Sequence, residues 1–204
     1  MTTGRTNRVA PDSSLHAVPE RGALFGNRGP LLGRDATVAR PYAVTRWIVC
    51  ELEFRGRRRE QWRPGSYTEL YFLDEATAFA AGHRPCAQCR RPAFEAYRRA
   101  WAAGAGFATV PTAGEMDTAL HAARWVDGHR RTWTAPPAGL PDGTVVGLDD
   151  AWWLVAGDAL RRWSFGGYGE TRERRAVTGP VTVLTPRPSV EVLRAGYRVG
   201  VDAR

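Results

Sequence analysis

No lysine occurs in the 204 residues, so the 29 basic side chains set against 21 acidic ones are all arginine. Sulfur is almost as scarce, with three cysteines and two methionines. Three cysteines close no disulfide framework, which excludes a small stapled secreted domain and leads us to expect a reducing, cytoplasmic setting. No apolar run approaches the ~18 residues that read as a membrane span, and no charged-then-apolar leader opens the chain, so no membrane partner is expected. Internal repeats and low-complexity tracts are also missing.

What is present describes a globular protein with a basic surface. Hydrophobic residues make up 43% of the chain and tryptophan occurs eight times, enough to build a core and to exclude wholesale disorder. A net charge of +8 carried by arginine attracts polyanions, because the guanidinium fork matches phosphate geometry. Nucleic acid is therefore the expected partner. The competing reading is a solvated arginine surface that reflects coding bias.

The first forty residues, rich in Gly, Pro and Arg, read as loop and short turns. Thr45 to Phe54 alternates, with Ile48, Cys50, Leu52 and Phe54 on the more apolar face and Trp47, Val49, Glu51 and Glu53 on the other, so a strand is predicted. Arg55, Arg57, Arg58 and Arg59 form an exposed turn, and Tyr67 to Leu73 returns as a second strand. Asp74 caps a short helix that Gly82 ends. Pro92 opens a second helix, with Phe94, Tyr97 and Trp101 on one face up to Gly104. A linker, 106–114, leads to a third helix carrying Met116, Leu120 and Ala123. Beyond Pro136, Asp-Gly, Asp-Asp and Gly-Asp turn signals divide a small antiparallel meander. Residues 167–180 read as loop, residues 181–185 as a strand, and Ser189 as the cap of a last helix.

"CAQC", Cys86 to Cys89, is the most chemistry-bearing spacing. Two thiolates three apart reach one tetrahedral ion, form a redox pair, or are simply neighbouring thiols. Asp117 and His121, one helical turn apart, are candidates for an oriented base, with Glu69 and His16 further candidates for an enzyme site. "LFGNRGPL" reads as a glycine-flanked loop offering Asn27 and Arg28 to a phosphate. Trp152, Trp153 and Trp163 read as core, with a base-stacking platform as the sharper alternative.

The segment "ELYFLDEATAFAAGHRPCAQCRRP", Glu69 to Pro92, resembles the second half of the zinc domain of Ada-type DNA methyl-phosphotriester repair proteins. The resemblance extends more loosely over residues 45–92, and it implies zinc. Carried over, Cys86 and Cys89 match the second ligand pair and Cys50 the first ligand, while the family's remaining cysteine position holds Phe54. The fourth ligand is then His16, His121, His129 or water, and His83 takes the position of a packing aromatic. In the family a zinc-bound cysteine accepts a methyl group; the loss of one cysteine favours a structural or DNA-positioning knuckle here.

The expected fold is α+β, with small antiparallel sheets and short helices around a zinc knuckle and a β-rich C-terminal portion. The expected organisation is an irregular wrap over 1–44, the Ada-like region over 45–104, a linker and helix over 105–135, and a β-rich portion with a C-terminal helix over 136–204. The function expected is a zinc-binding, DNA-associated protein of repair or processing. Arg28, Arg57, Arg58, Arg84, Arg90, Arg91 and Arg98 would meet the nucleic acid. The alternatives are a zinc- or histidine-dependent enzyme acting on a nucleic acid or other phosphate-bearing substrate, and an interaction module with structural zinc.

Overall fold

The computed structural model describes residues 4–56, 62–63, 65–106 and 108–202. In chain order the elements of the first half are β1 (Arg8–Val9), β2 (Leu15–His16), β3 (Leu24–Asn27), β4 (Ile48–Glu51), β5 (Leu70–Phe72), α1 (Glu75–Ala80), β6 (Arg84–Pro85) and α2 (Arg91–Ala105). They are followed by α3 (Ala113–Arg124), β7 (Trp125–Val126), β8 (His129–Arg130), β9 (Trp133–Ala135), β10 (Val145–Leu148), β11 (Ala151–Ala156), β12 (Ala159–Ser164), β13 (Gly167–Glu173), β14 (Val181–Val183) and α4 (Arg187–Arg194). The class is α+β, as the sequence implies, with strands dominating the C-terminal part.

Two six-stranded sheets carry the fold, ordered β2-β1-β5-β3-β4-β6 and β13-β12-β11-β10-β14-β9. The first is mixed: β1 runs parallel to β5 and β4 parallel to β6, so segments distant in sequence lie side by side. The second is antiparallel throughout. Its β10–β11 turn places both Asp149 and Asp150 at positive φ, the primed-turn geometry whose twist suits a hairpin.

Helix α1 joins the two sheets. All six of its residues are buried. Ala78 packs with Val49, Leu70 and Phe72 of the first sheet, while Ala76 and Ala80 pack with Val145, Leu154 and Trp163 of the second. Small side chains allow approach on every face. Its N-cap is Asp74, whose Oδ1 accepts from the Thr77 amide at 2.8 Å. Tyr168 donates to Asp74 Oδ2 at 2.8 Å and the Trp163 indole to Thr77 Oγ1 at 2.9 Å, so β12 and β13 are pinned to the cap. The two halves share this core.

Several local expectations are corrected. The N-terminal forty residues supply β1, β2 and β3, and "LFGN" is a central strand rather than a loop, because β4 and β5 satisfy its backbone on both sides. Residues 167–173 form β13 instead of loop, held by β12. Helix α3 starts earlier than predicted: Thr112 and Glu115 form a reciprocal capping box, a signal present in "TAGE". Ser189 is not a cap but lies inside α4, whose N-cap is Pro186; its buried hydroxyl meets Tyr97 Oη at 3.1 Å. Helix α2 crosses α4 at Gly104, where a Cβ would stand 2.8 Å from the Glu191 carbonyl oxygen.

Candidate metal centre

The three sulfurs of Cys50, Cys86 and Cys89 lie within 4.8 Å of one another. The parallel pairing of β4 with β6 makes this convergence: Ile48 stands opposite Arg84 and Val49 opposite Pro85, so Cys50 meets the residue that leaves β6. The Cys86 amide donates to the Val49 carbonyl at 2.9 Å and locks the register. A tight turn then brings Cys89 back, with the Arg90 amide bonded to the Cys86 carbonyl at 3.1 Å. The Gln88 amide donates to Cys86 Sγ at 3.4 Å, a contact that favours a thiolate.

The sulfurs compete for protons. Hydrogen bonds from Cys50, then Cys89, hold the Cys86 thiol down to about 2. The same bond to Cys86, followed by that to Cys89 and burial, pushes Cys50 far up. At Cys89 the Cys50 bond favours the thiolate, but Cys86 and burial outweigh it and the thiol is raised. Three thiolates this close repel one another, so a bound cation is the natural means of ionising all of them. All three cysteines are free, and the cluster can hold a metal ion.

Arg90 braces this centre. Its Nε donates to Glu51, the neighbour of Cys50, at 2.9 Å, and its Nη1 to Glu75 of α1 at 2.6 Å. Burial opposes its charge, yet Glu75 and Glu51 prevail and raise its pKa. Glu75 also accepts from Tyr197 Oη and the Gly200 amide, each at 2.9 Å, tying the chain after α4 to the same network.

The sulfurs open on a cleft of about 720 Å³. Its wall is the face of the first sheet opposite α1, presenting Phe25, Asn27, Ile48, Cys50 and Tyr71, with Glu51, Glu53, Phe54, Glu69 and Arg46 around them. The predicted alternation of β4 is correct in phase, but the core lies on the other side. Trp47 and Val49 are fully buried, whereas the apolar face of Cys50 is the cleft wall. Phe54, four residues after Cys50, reaches the cleft but offers no ligand atom.

Sequence-predicted residues divide between this site and elsewhere. Glu69, 6% exposed, lines the cleft and accepts from the Trp62 amide at 3.1 Å. His16 is not in the cysteine cluster; its Nε2 meets Ser14 Oγ at 2.8 Å and its ring packs on Phe165. His129 is exposed on β8, and His121 stacks edge-on to Tyr42 at 5.0 Å. Asp117 does not orient His121, because both its oxygens are taken by Arg84 at 2.9 and 2.7 Å. Burial and Arg124 also hold His121 below the usual imidazole range.

The basic face is smaller than predicted. Arg28 and Arg84 are 1% and 2% exposed and belong to the interior, which removes them as phosphate contacts. Arg90 is committed to Glu51 and Glu75, and Arg98 bonds the Pro111 carbonyl and Glu95. Arg91 is exposed, paired with Glu95 at 3.0 Å. Arg57 and Arg58 lie outside the described residues. Trp153 is core and Trp152 packs edge-on to Trp163 at 5.4 Å, which leaves no platform of adjacent indoles. Sequence reading missed Arg46, Glu51 and Glu53, although their places beside or along β4 were a usable signal.

Among the described residues, no helix is long and apolar enough to cross a membrane. Comparison with protein-family models, with curated proteins and with solved structures finds no match to this chain.

Proposed function

We propose that the chain is a zinc protein of the reducing cytoplasm that works on nucleic acid, DNA before RNA, in repair or processing. The carrying observation is the convergence of Cys50, Cys86 and Cys89 within 4.8 Å on the wall of a cleft. Three thiolates suit zinc, which binds sulfur at ~2.3 Å and completes a tetrahedron with one further ligand. Three protein ligands among the described residues leave that position to a small ligand or substrate, the pattern of reactive rather than closed sites. The resemblance of Glu69 to Pro92 to the Ada-type zinc domain supports the same ion. The DNA part rests on the net charge of +8 and on Arg46 and Arg91, exposed beside the cleft and beside Cys89.

The test combines metal analysis with DNA binding over a salt series. One equivalent of zinc is expected, lost in Cys86→Ser. DNA affinity should fall steeply with salt, and Arg46→Ala with Arg91→Ala should reduce the slope by about two. Less than about half an equivalent of zinc would refute the metal reading. Salt-independent binding, or none, would refute the DNA reading.

A second reading, a metal-dependent enzyme acting on a nucleic acid or other phosphate-bearing substrate, is favoured by Glu69. Its carboxylate lies on the same cleft as the sulfurs. Bound zinc supplies Lewis acidity there, and Glu69 is the side chain suited to move a proton. Glu69→Gln should abolish turnover while zinc content stays unchanged.

A further inference from the structure

The metal cleft adjoins a second hollow, of about 470 Å³, that is lined by arginine. Arg5, Arg8 and Arg21 face it with Asn7, and Leu52 and Tyr71 stand in the walls of both the hollow and the cleft. Sheet register sets the two side by side. Arg8 is opposite Tyr71 in the parallel β1–β5 pair, Tyr71 is opposite Phe25, and Phe25 is opposite Cys50. Opposed residues share a face, so Arg8, Tyr71, Phe25 and Cys50 form one row across four neighbouring strands. Three spacings of ~4.8 Å make that row about 14 Å long. Val9, Leu70, Phe72 and Val49 lie on the other face, in the core.

The arginine end of the row is held in place. Arg8 Nε donates to the Glu20 carbonyl and Nη1 to Asn7 Oδ1 at 2.6 Å, and its Cζ lies 4.8 Å from the Tyr71 ring centroid. Asn7 is 2% exposed, and its carbonyl accepts from the Tyr71 amide at 2.8 Å. Next to Arg21, Gly22 lets the chain run hard against β5: a Cβ there would stand 2.3 Å from the Phe72 carbonyl oxygen. Among the described residues, no carboxylate forms an ion pair with Arg8 or Arg21. Burial lowers the Arg8 pKa, Tyr71 opposes this, and the charge of Arg21 adds to it, with Glu20 a smaller offset. Two guanidinium groups that repel each other across a hollow suit a phosphate, which supplies the charge and the acceptors that both lack. Further along, the cleft wall is aromatic at Phe25 and Tyr71, and two residues on along each strand Asn27 and Glu69 add an amide and a carboxylate.

We infer, on the strength of the nucleic-acid reading above, that this row binds one unpaired nucleotide of a DNA strand. Its phosphate is held by Arg8 and Arg21, its base lies against Phe25 and Tyr71, and the base edge is turned to Asn27, Glu69 and the cysteine centre. The order along the row is the order of a nucleotide: anion, flat ring, reactive edge. A paired base cannot reach these side chains, because its edge is bonded and its faces are stacked, so the base must stand outside the duplex.

Fluorescence anisotropy of the full chain with three labelled DNA duplexes tests the inference: one fully paired, one with a single bulged thymidine, and one with an abasic sugar in place of that thymidine. The thymidine bulge should bind about tenfold or more tightly than either of the others. Phe25→Leu should abolish that preference and leave affinity for the paired duplex unchanged. Arg21→Ala should weaken binding of the bulged duplex and reduce its salt slope by about one. Equal affinity for the thymidine and abasic bulges would overturn the inference, and the DNA reading would stand as long as binding still falls with salt. No binding of any duplex would refute both. Because the abasic comparison uses the unaltered chain, it decides the matter even where Phe25→Leu fails to fold.

Discussion

Asp117→Ala separates a structural from a catalytic role for this carboxylate. Asp117 and Arg84 form a two-pronged ion pair at 2.9 and 2.7 Å, with side chains 9% and 2% exposed. At such burial the attraction is little screened, and both ions have given up hydration. Removing one partner leaves a buried guanidinium uncompensated, which costs about 3–5 kcal/mol. In a chain of this size that corresponds to a Tm lower by roughly 6–20 °C. Arg84 Nη1 keeps its bond to the Pro85 carbonyl at 3.0 Å, which favours the lower part of the range. Replacing both partners, as Arg84→Met with Asp117→Leu, should recover most of the loss, because the double variant buries no lone charge. Urea unfolding at pH 7 of the wild type, both single variants and the double variant measures the cycle. A loss below about 1 kcal/mol for Asp117→Ala would refute the reasoning and make the pair equivalent to a surface contact. Retained stability with abolished turnover would instead return Asp117 to the catalytic candidates.

Other perturbations test the site and its frame. Phe54→Cys should add a fourth thiolate, raise metal affinity by tenfold or more and remove the exchangeable ligand, read from the Co²⁺ visible spectrum with and without added azide. Arg90→Met should weaken Co²⁺ binding and shift the same bands, with Arg90→Lys partly restoring them, because Glu51 and Glu75 lose their shared partner. Gly82→Ala should destabilise by about 1–3 kcal/mol in urea, since Gly82 has φ +88° and a Cβ would stand 2.5 Å from Arg124 Cδ. Glu115 is held below the usual carboxylate range by the Thr112 amide and hydroxyl. Its contribution is therefore present above the unfolded value near ~4.3 and lost as pH falls through the folded one. Tm measured from pH 6 to 3 should drop faster for the wild type than for Glu115→Gln, which keeps the capping acceptor without titrating.

Local chemistry was legible from the residues alone because it depends on near neighbours. Asp74 before an alanine helix, Pro92 opening α2, paired aspartates at a hairpin turn and two cysteines three apart all act within one or two turns of chain. Cys50 was selected through resemblance, and tertiary structure supplies its physical reason: β4 and β6 pair in parallel across more than thirty residues of intervening chain. The loop readings of 24–31 and 167–173 failed for a related reason. Glycine and arginine weaken local strand preference, and pairing to neighbouring strands overrides it.

Arginine marks the boundary between the two kinds of information. The sequence by itself determined that the chain is lysine-free and strongly basic, that a cysteine pair sits between two helices, and that strands dominate its C-terminal part. It could not distinguish an arginine facing solvent from one inside, because a guanidinium on a long apolar stem is buried whenever carbonyls, carboxylates and aromatic faces surround it. Only the tertiary structure decided that Arg28, Arg84 and Arg124 belong to the interior and that Arg90 braces the cysteine centre. It likewise decided that Glu69, not Asp117 or His121, shares a cleft with the three sulfurs, since that proximity comes from sheet register and not from sequence spacing.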